Sequence, residues 1–270
     1  MKIVFNYDLG TIKTTVFDNL LSEILLAKAG QKSILWLVSP WIKDFDFPLV
    51  GRGGFTPVLS IKAGTITLLD LLKEYSDAGG KIKLVCYPPH LLFDMSLVTR
   101  VVELTRVAAQ LRKAKILEPA VEENLSLLKS EAAFLADQFS IHGDVIEFIN
   151  STAELNGAEI YYNEKLHAKV ILGTNFAIVG SANITPGGFI RNDEIYLVVD
   201  EERTISDVKM FCENMILAEG VRRFFVKRRS EYRLEEAIGI DLIADIVKEF
   251  SNLPLTMRES LVSCGVKPGE

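Results

Sequence analysis

Along the first part of the chain the apolar positions change period several times. KIVFNY reads as a short strand, TIKTTVFDNLLSEILLAKAG as an amphipathic helix and SILWLVSP as a second strand. TITLLDLLKEYSDAGG returns to helical spacing, with Gly79 and Gly80 suited to a C-terminal stop, and KIKLVCYP is again strand-like. From about Leu91 to Leu155 the spacing is helical throughout. SLVTRVVELTRVAAQLRKAKIL and VEENLSLLKSEAAFLADQF carry apolar residues every three or four positions with Pro119 between them, which predicts a helical hairpin followed by the helix DVIEFINSTAEL. Strands resume as AEIYYN, LHAKVILG, NFAIVGS and EIYLVVD. After Glu201 the pattern predicts helices, one within VRRFFVKRRSEYR and another in IDLIADIVKEF.

Strands alternating with amphipathic helices predict an α/β layer fold with a largely buried sheet. The expected organisation is an α/β domain over 1–200, interrupted by a helical insertion at about 91–155, and a helical extension over 201–270. Between Trp41 and Thr65 the stretch WIKDFDFPLVGRGGFTPVLSIKAGT lacks clean periodicity and is long for a connection in a compact domain. Two readings stay open for it: a flexible surface excursion, or a substrate-side flap in which Gly51, Gly53 and Gly54 allow close backbone approach. No heptad run, low-complexity tract or internal repeat is present.

Composition narrows the classes. With 270 residues, 49% of them hydrophobic, the chain buries a sizeable core and is neither disordered nor fibrous. A net charge of -6 excludes a globally basic nucleic-acid coat while leaving room for a local basic cleft. Cys86, Cys212 and Cys264 are far apart and form no C-x-x-C pair, so they read as reduced thiols. The N-terminal residues have no apolar run of signal-peptide length, and no later stretch has the uninterrupted apolar length of a membrane helix; a cytoplasmic location with no membrane partner is the expectation.

The candidate chemistry sits in KLHAKVILGTNFAIVGSAN. His167 and Lys169 are two residues apart in a strand-like run, so their side chains share a face, and a turn at Gly173 to Asn175 leads into FAIVG and then Ser181 and Asn183. An imidazole, an ammonium, a hydroxyl and a carboxamide at one point suit a phosphodiester. Lysine and asparagine hold its oxygens, the hydroxyl donates to it, and the imidazole attacks phosphorus or moves a proton. Taken singly, each residue has an ordinary structural explanation: a core histidine, an edge-strand lysine, a polar turn.

With H-A-K at 167–169 and GSAN at 180–183, the sequence resembles the phospholipase D superfamily, whose HKD motif reads HxK, four residues, D, six residues, GSxN. Glu194, eleven residues past Asn183, stands where family members carry a glutamate, and SPWI at 39–42 resembles the strand end that precedes their site. The resemblance implies a phospholipase D-like mixed sheet flanked by helices, with the insertion and the helical C-terminal region added to it. Two departures are visible. Thr174 occupies the position of the motif aspartate, and the interval from Lys169 to Gly180 is one residue shorter than the pattern.

Family members act with two such motifs facing each other, and this chain has one; His90 and His142 lack a lysine two residues on. The resemblance therefore implies a homodimer, with His167 as nucleophile and, across the dimer, as general acid, and no metal or other cofactor. Lys169, Ser181 and Asn183 are expected to bind phosphate, and Glu194 to orient the imidazole, with Asp193 the weaker alternative. Short single-motif members are mostly nucleases, which makes DNA or RNA the expected substrate and a motor ATPase or helicase a conceivable partner. Arg222, Arg223, Lys227, Arg228 and Arg229, around Phe224 and Phe225, have a composition suited to phosphate contacts and base stacking, and equally that of a solvated helix. The alternatives are a lipid phosphodiesterase using the same residues and a catalytically silent dimer that binds nucleic acid or a protein partner.

Overall fold

The computed structural model describes residues 1–5, 11–48, 59, 65–88, 91, 96, 99–100, 103–104, 106–107, 110, 126–127, 130–131, 133–134, 143–224 and 258. The chain divides into two compact units, one made of Met1–Tyr87 and Phe148–Arg229, the other of Pro88–Glu147 and Ser230–Glu270.

The first unit is built on an eight-stranded mixed sheet. Its strands are β1 (Lys2–Phe5), β2 (Ile34–Val38), β5 (Lys81–Cys86), β6 (Ala158–Tyr162), β7 (Val170–Leu172), β8 (Ala177–Gly180), β9 (Ile195–Val199) and β10 (Arg222–Phe224), in the order β1-β9-β8-β7-β2-β5-β6-β10. β2, β5 and β6 run parallel, whereas β7, β8, β9, β1 and β10 are each antiparallel to a neighbour. The apolar runs ILWLV, LVC and VIL are what central strands covered on both faces require.

Helix α1 (Thr11–Lys28) buries Ile12, Val16, Phe17, Leu20, Leu21, Ile24 and Ala27, a stripe at helical spacing, and ends at Gly30, whose φ of 84° permits the left-handed closing turn. Helix α2 (Leu68–Asp77) starts on a capping box in which Thr67 and Asp70 satisfy each other's backbone N–H groups. Thr65–Thr67, expected at the start of that helix, instead form β4, which pairs with β3 (Asp46–Pro48). The β-branched triplet has a partner strand available, and the cap stops the helix at Leu68. The ends of the long 41–65 stretch are thereby anchored, with Phe47 and Ile66 buried; its middle lies outside the described residues apart from Leu59, also buried.

Helix α3 (Glu202–Leu217) covers one sheet face, its Ile205 and Cys212 joining Trp36, Val38, Val85, Tyr161, Val170 and Val199 in one apolar cluster. Arg222–Phe224, expected within a helix, form edge strand β10 against β6. An unpaired edge of β6 is on offer there, and pairing with it satisfies backbone groups of a segment rich in β-formers. α3 and β10 thus belong to the sheet unit, whereas 230–270 groups with the insertion.

In the second unit the described residues between 96 and 110 and between 126 and 134 are helical, and an Arg100–Glu131 ion pair at 2.8 Å joins the two stretches. Residues 143–153 are helical, as the spacing of DVIEFINSTAEL predicts. Among the described residues no helix is long and apolar enough to cross a membrane.

Candidate active site

Strand direction collects the site. β2 ends where β7 begins, β7 and β8 are antiparallel, and β8 ends where β9 begins. The segments 39–45, 163–169 and 181–194 therefore emerge at one end of the sheet, where the parallel strands have their carboxyl ends. This is the usual place for a ligand in a sheet of this kind.

His167 and Lys169 lie just before β7, which begins at Val170, so they belong to the extended segment entering the strand and not to the strand itself. The segment 163–169 crosses from β6 over the ends of β5 and β2 to reach β7, and the ladder starts once it has arrived. Lys169 Nζ donates to the His167 carbonyl at 2.8 Å, and the Lys169 carbonyl accepts the Gly180 N–H at 3.2 Å. The His167 side chain is exposed and has no hydrogen bond among the described residues.

Ser181 follows β8 and is tied by three hydrogen bonds to the start of β9 and the residue before it. Its N–H donates to the Ile195 carbonyl at 3.1 Å, its Oγ accepts the Ile195 N–H at 3.2 Å, and its hydroxyl donates to Glu194 Oε2. Asn192 Nδ2 approaches Glu194 Oε1 at 3.4 Å. The Glu194 carboxylate is thus held by Ser181 and Asn192, and among the described residues no bond joins it to His167. Asp193 is exposed.

Asn183 is positioned from below by the SPWI segment and by Tyr196. Fully buried Ser39 accepts the Ile184 N–H at 3.1 Å, donates to the Trp41 carbonyl at 2.6 Å, and has Asn183 Oδ1 3.4 Å away. The Lys43 N–H donates to the Ile184 carbonyl, and Ile42 bridges Ile184 in parallel, so the SPWI segment forms a short strap along the GSAN loop. Buried Tyr196 donates its hydroxyl to the Ala182 carbonyl at 2.8 Å; burial first, and the charge of Glu194 second, push its phenol far up, so it remains a donor.

A five-residue π-helical turn, Gly187–Arg191, packs beneath the same loop, with Phe189 edge-on to Phe45 and Tyr196. A Cβ on Gly188 would lie 2.3 Å from the Asn183 carbonyl oxygen, so glycine permits this approach. Paired glycines directly after GSAN-x-T-P were the available sequence signal for it; a polar residue at the end of an apolar strand was the signal for Ser39.

Arg222 and Arg223 lie on β10, four strands from β7, about 19 Å across the sheet. Arg222 pairs with Glu164 at 3.2 Å, and Arg223 with Glu159 at 2.6 Å. Glu159 also accepts from Tyr161 and lies 3.9 Å from Lys83. Lys227, Arg228 and Arg229 fall outside the described residues. Cys86 and Cys212 are buried, and burial raises both thiols, that of Cys212 to about 12, so neither is a ready nucleophile.

The mixed sheet and the polar groups gathered at one of its ends define a phospholipase D-like α/β fold. The chain belongs to the phospholipase D-like family, since the family model described as cardiolipin synthase, PLD-like domain, matches residues 60–216, more than half of its length. Solved structures similar to it include NucT from Helicobacter pylori, 13% identical with a TM-score of 0.38, covering 80% of this chain and 94% of that one. Nuc from Salmonella typhimurium, a phospholipase D family member, is 12% identical with a TM-score of 0.37, covering 83% and 96%. Polyphosphate kinase from Porphyromonas gingivalis has a TM-score of 0.43 at 12% identity, covering 93% of this chain but 29% of that chain. No curated protein sequence matches.

Proposed function

We propose that the protein is a metal-independent phosphodiesterase that cleaves DNA or RNA as a homodimer through a phosphohistidine intermediate on His167. The observation that carries this reading is the convergence of His167, Lys169, Ser181, Asn183 and Glu194 at one end of the sheet, on segments entering β7, leaving β8 and entering β9.

An imidazole nitrogen of His167 attacks phosphorus, a P–N bond forms, and the P–O bond to the leaving group breaks. The imidazolium of the partner subunit's His167 gives its proton to the departing oxygen. It then takes a proton from water, which attacks phosphorus and breaks the P–N bond. Lys169 and Asn183 bear on the phosphate oxygens, where charge builds up in the transition state. Lys169 already has one of its three protons on the His167 carbonyl, which ties its position to that of the nucleophile and leaves two for substrate. Glu194 and Ser181 form the polar floor of the pocket. The basic segment with Arg222, Arg223, Lys227, Arg228 and Arg229 is assigned to backbone phosphates of the substrate.

The test is cleavage of labelled single-stranded DNA, duplex DNA, RNA and phosphatidylcholine vesicles in excess chelator, wild type against His167→Ala. Cleavage of a nucleic acid by wild type alone is expected, and mixing His167→Ala with an inactive Lys169→Ala should not restore full activity, because no mixed dimer has two complete motifs. Cleavage of the lipid alone would replace the substrate class. Nucleic-acid binding with no turnover would make the protein a binding dimer.

A further inference from the structure

Glu23 is a carboxylate on α1, a helix whose buried stripe is otherwise apolar, and it is 1% exposed. It has no cationic partner among the described residues. Burying an uncompensated carboxylate is costly, and an apolar residue would pack the same space without that cost. Something must use it.

What uses it is the turn between β7 and β8. Glu23 Oε1 accepts the Thr174 N–H, and Oε2 accepts the Thr174 hydroxyl at 3.0 Å. The Asn175 N–H and the Ser33 hydroxyl favour the ionised form of the same carboxyl, and Ser33 meets Tyr75 Oη at 2.7 Å. Thr174 thus engages both carboxylate oxygens, one with its N–H and one with its hydroxyl. The fit extends to Gly173, where a Cβ would come within 2.5 Å of Glu23 Oε1. The turn is closed by the Gly173 N–H on the Phe176 carbonyl at 3.0 Å.

That turn sets the pairing of Leu172 with Ala177 and Val170 with Val179, and through it the bond from Gly180 N–H to the Lys169 carbonyl. A slip of one residue would move Lys169 by about 3.3 Å relative to Ser181 and turn each side chain to the other face. Glu23 lies at the opposite end of the hairpin, roughly 15 Å from the site along the strand, and touches no reacting group.

We propose that Glu23 is a positioning residue: from α1 it supplies the carboxylate that pins the β7–β8 turn, whose own residue 174 is a threonine, and so fixes the register that brings Lys169 beside Ser181.

The experiment is a double-mutant cycle of Glu23→Ala, Thr174→Asp and the double variant. Each is read as melting temperature, as kcat and KM well below melting, and as the His167 ring-proton resonance, assigned by its loss in His167→Ala. Glu23→Ala should lower kcat by about tenfold with a smaller change in KM and shift the His167 signal. Thr174→Asp alone should lower the melting temperature, because it sets a second carboxylate against Glu23. In the double variant the introduced aspartate caps the turn from within, so kcat, melting and the His167 signal should return most of the way to wild type.

A Glu23→Ala protein with unchanged kcat and signal overturns the proposal, as does a double variant no better than the worse single one. If Glu23→Ala does not fold, recovery of a folded double variant supports the proposal and its failure to fold overturns it. The kcat reading rests on the phosphodiesterase proposal. A wild type that cleaves nothing while melting and the His167 signal still show rescue would refute that function and leave the role of Glu23 standing.

Discussion

Ser39 Oγ, at the end of β2, accepts the N–H of Ile184 at 3.1 Å across the site end of the sheet. The two residues are 145 apart in the chain, and both are buried. This one hydroxyl couples the central strand to the loop that presents Asn183.

Ser39→Ala should therefore cost more than an average polar truncation, because it leaves the Ile184 N–H buried without an acceptor. The expected loss is about 1–3 kcal/mol, or roughly 2–12 °C in melting temperature. Asn183 loses its neighbour as well, so kcat on any cleaved phosphodiester should fall while KM changes less. Thermal melting and steady-state kinetics check both parts.

Ser181 and Glu194 form a charge-assisted hydrogen bond at an exposed position. Ser181→Ala should melt within a few degrees of wild type, at about 2–4 °C per kcal/mol. It should lower kcat/KM by about 10- to 100-fold, the equivalent of one hydrogen bond to a charged group. A melting loss large enough to account for the activity loss would contradict the assignment of Ser181 to the phosphate pocket.

The π-helical turn offers a matched pair. A Cβ on Gly188 would sit 2.3 Å from the Asn183 backbone oxygen, whereas one on Gly187 has its nearest neighbour, the Thr185 hydroxyl oxygen, at 3.7 Å. Gly188→Ala should lose about 1–3 kcal/mol by overpacking, and Gly187→Ala should be close to neutral. Equal melting temperatures for the two variants would contradict the packing described.

Burial raises the Glu23 carboxyl above its ordinary value, against the opposing pull of the Thr174, Asn175 and Ser33 donors. In the window between the unfolded and the raised folded value the native state holds more protons than the unfolded state. The contribution of Glu23 to stability is therefore greatest below about pH 4.5. It declines as pH rises through the folded value and is flat above that. Glu23→Gln removes the titration. Unfolding free energies of wild type minus those of Glu23→Gln, from urea titrations at several pH values from about 4 to 8, should decrease with rising pH.

Much of the architecture is legible in residue pattern. The helices α1 and α3, the central strands and the 143–153 helix follow from apolar spacing, because a face that must be buried writes its period into the chain. The departures fall where a neighbour distant in sequence decides. Thr65–Thr67 are a strand because Asp46–Pro48 lies alongside, and Arg222–Phe224 are a strand because β6 has a free edge. His167 and Lys169 are outside β7 because their segment is still crossing the ends of β5 and β2.

The alternation of strands and helices, the family likeness and the candidate set His167, Lys169, Ser181, Asn183 and Glu194 are readable from the sequence, since those depend on residue type and spacing. Tertiary structure decided which groups hold that set in place. Ser39, Tyr196, Gly188 and Glu23 belong to four different elements or turns, and a hydrogen bond or close contact between residues far apart in the chain has no local period to announce it. It exists once the sheet has brought its two ends together.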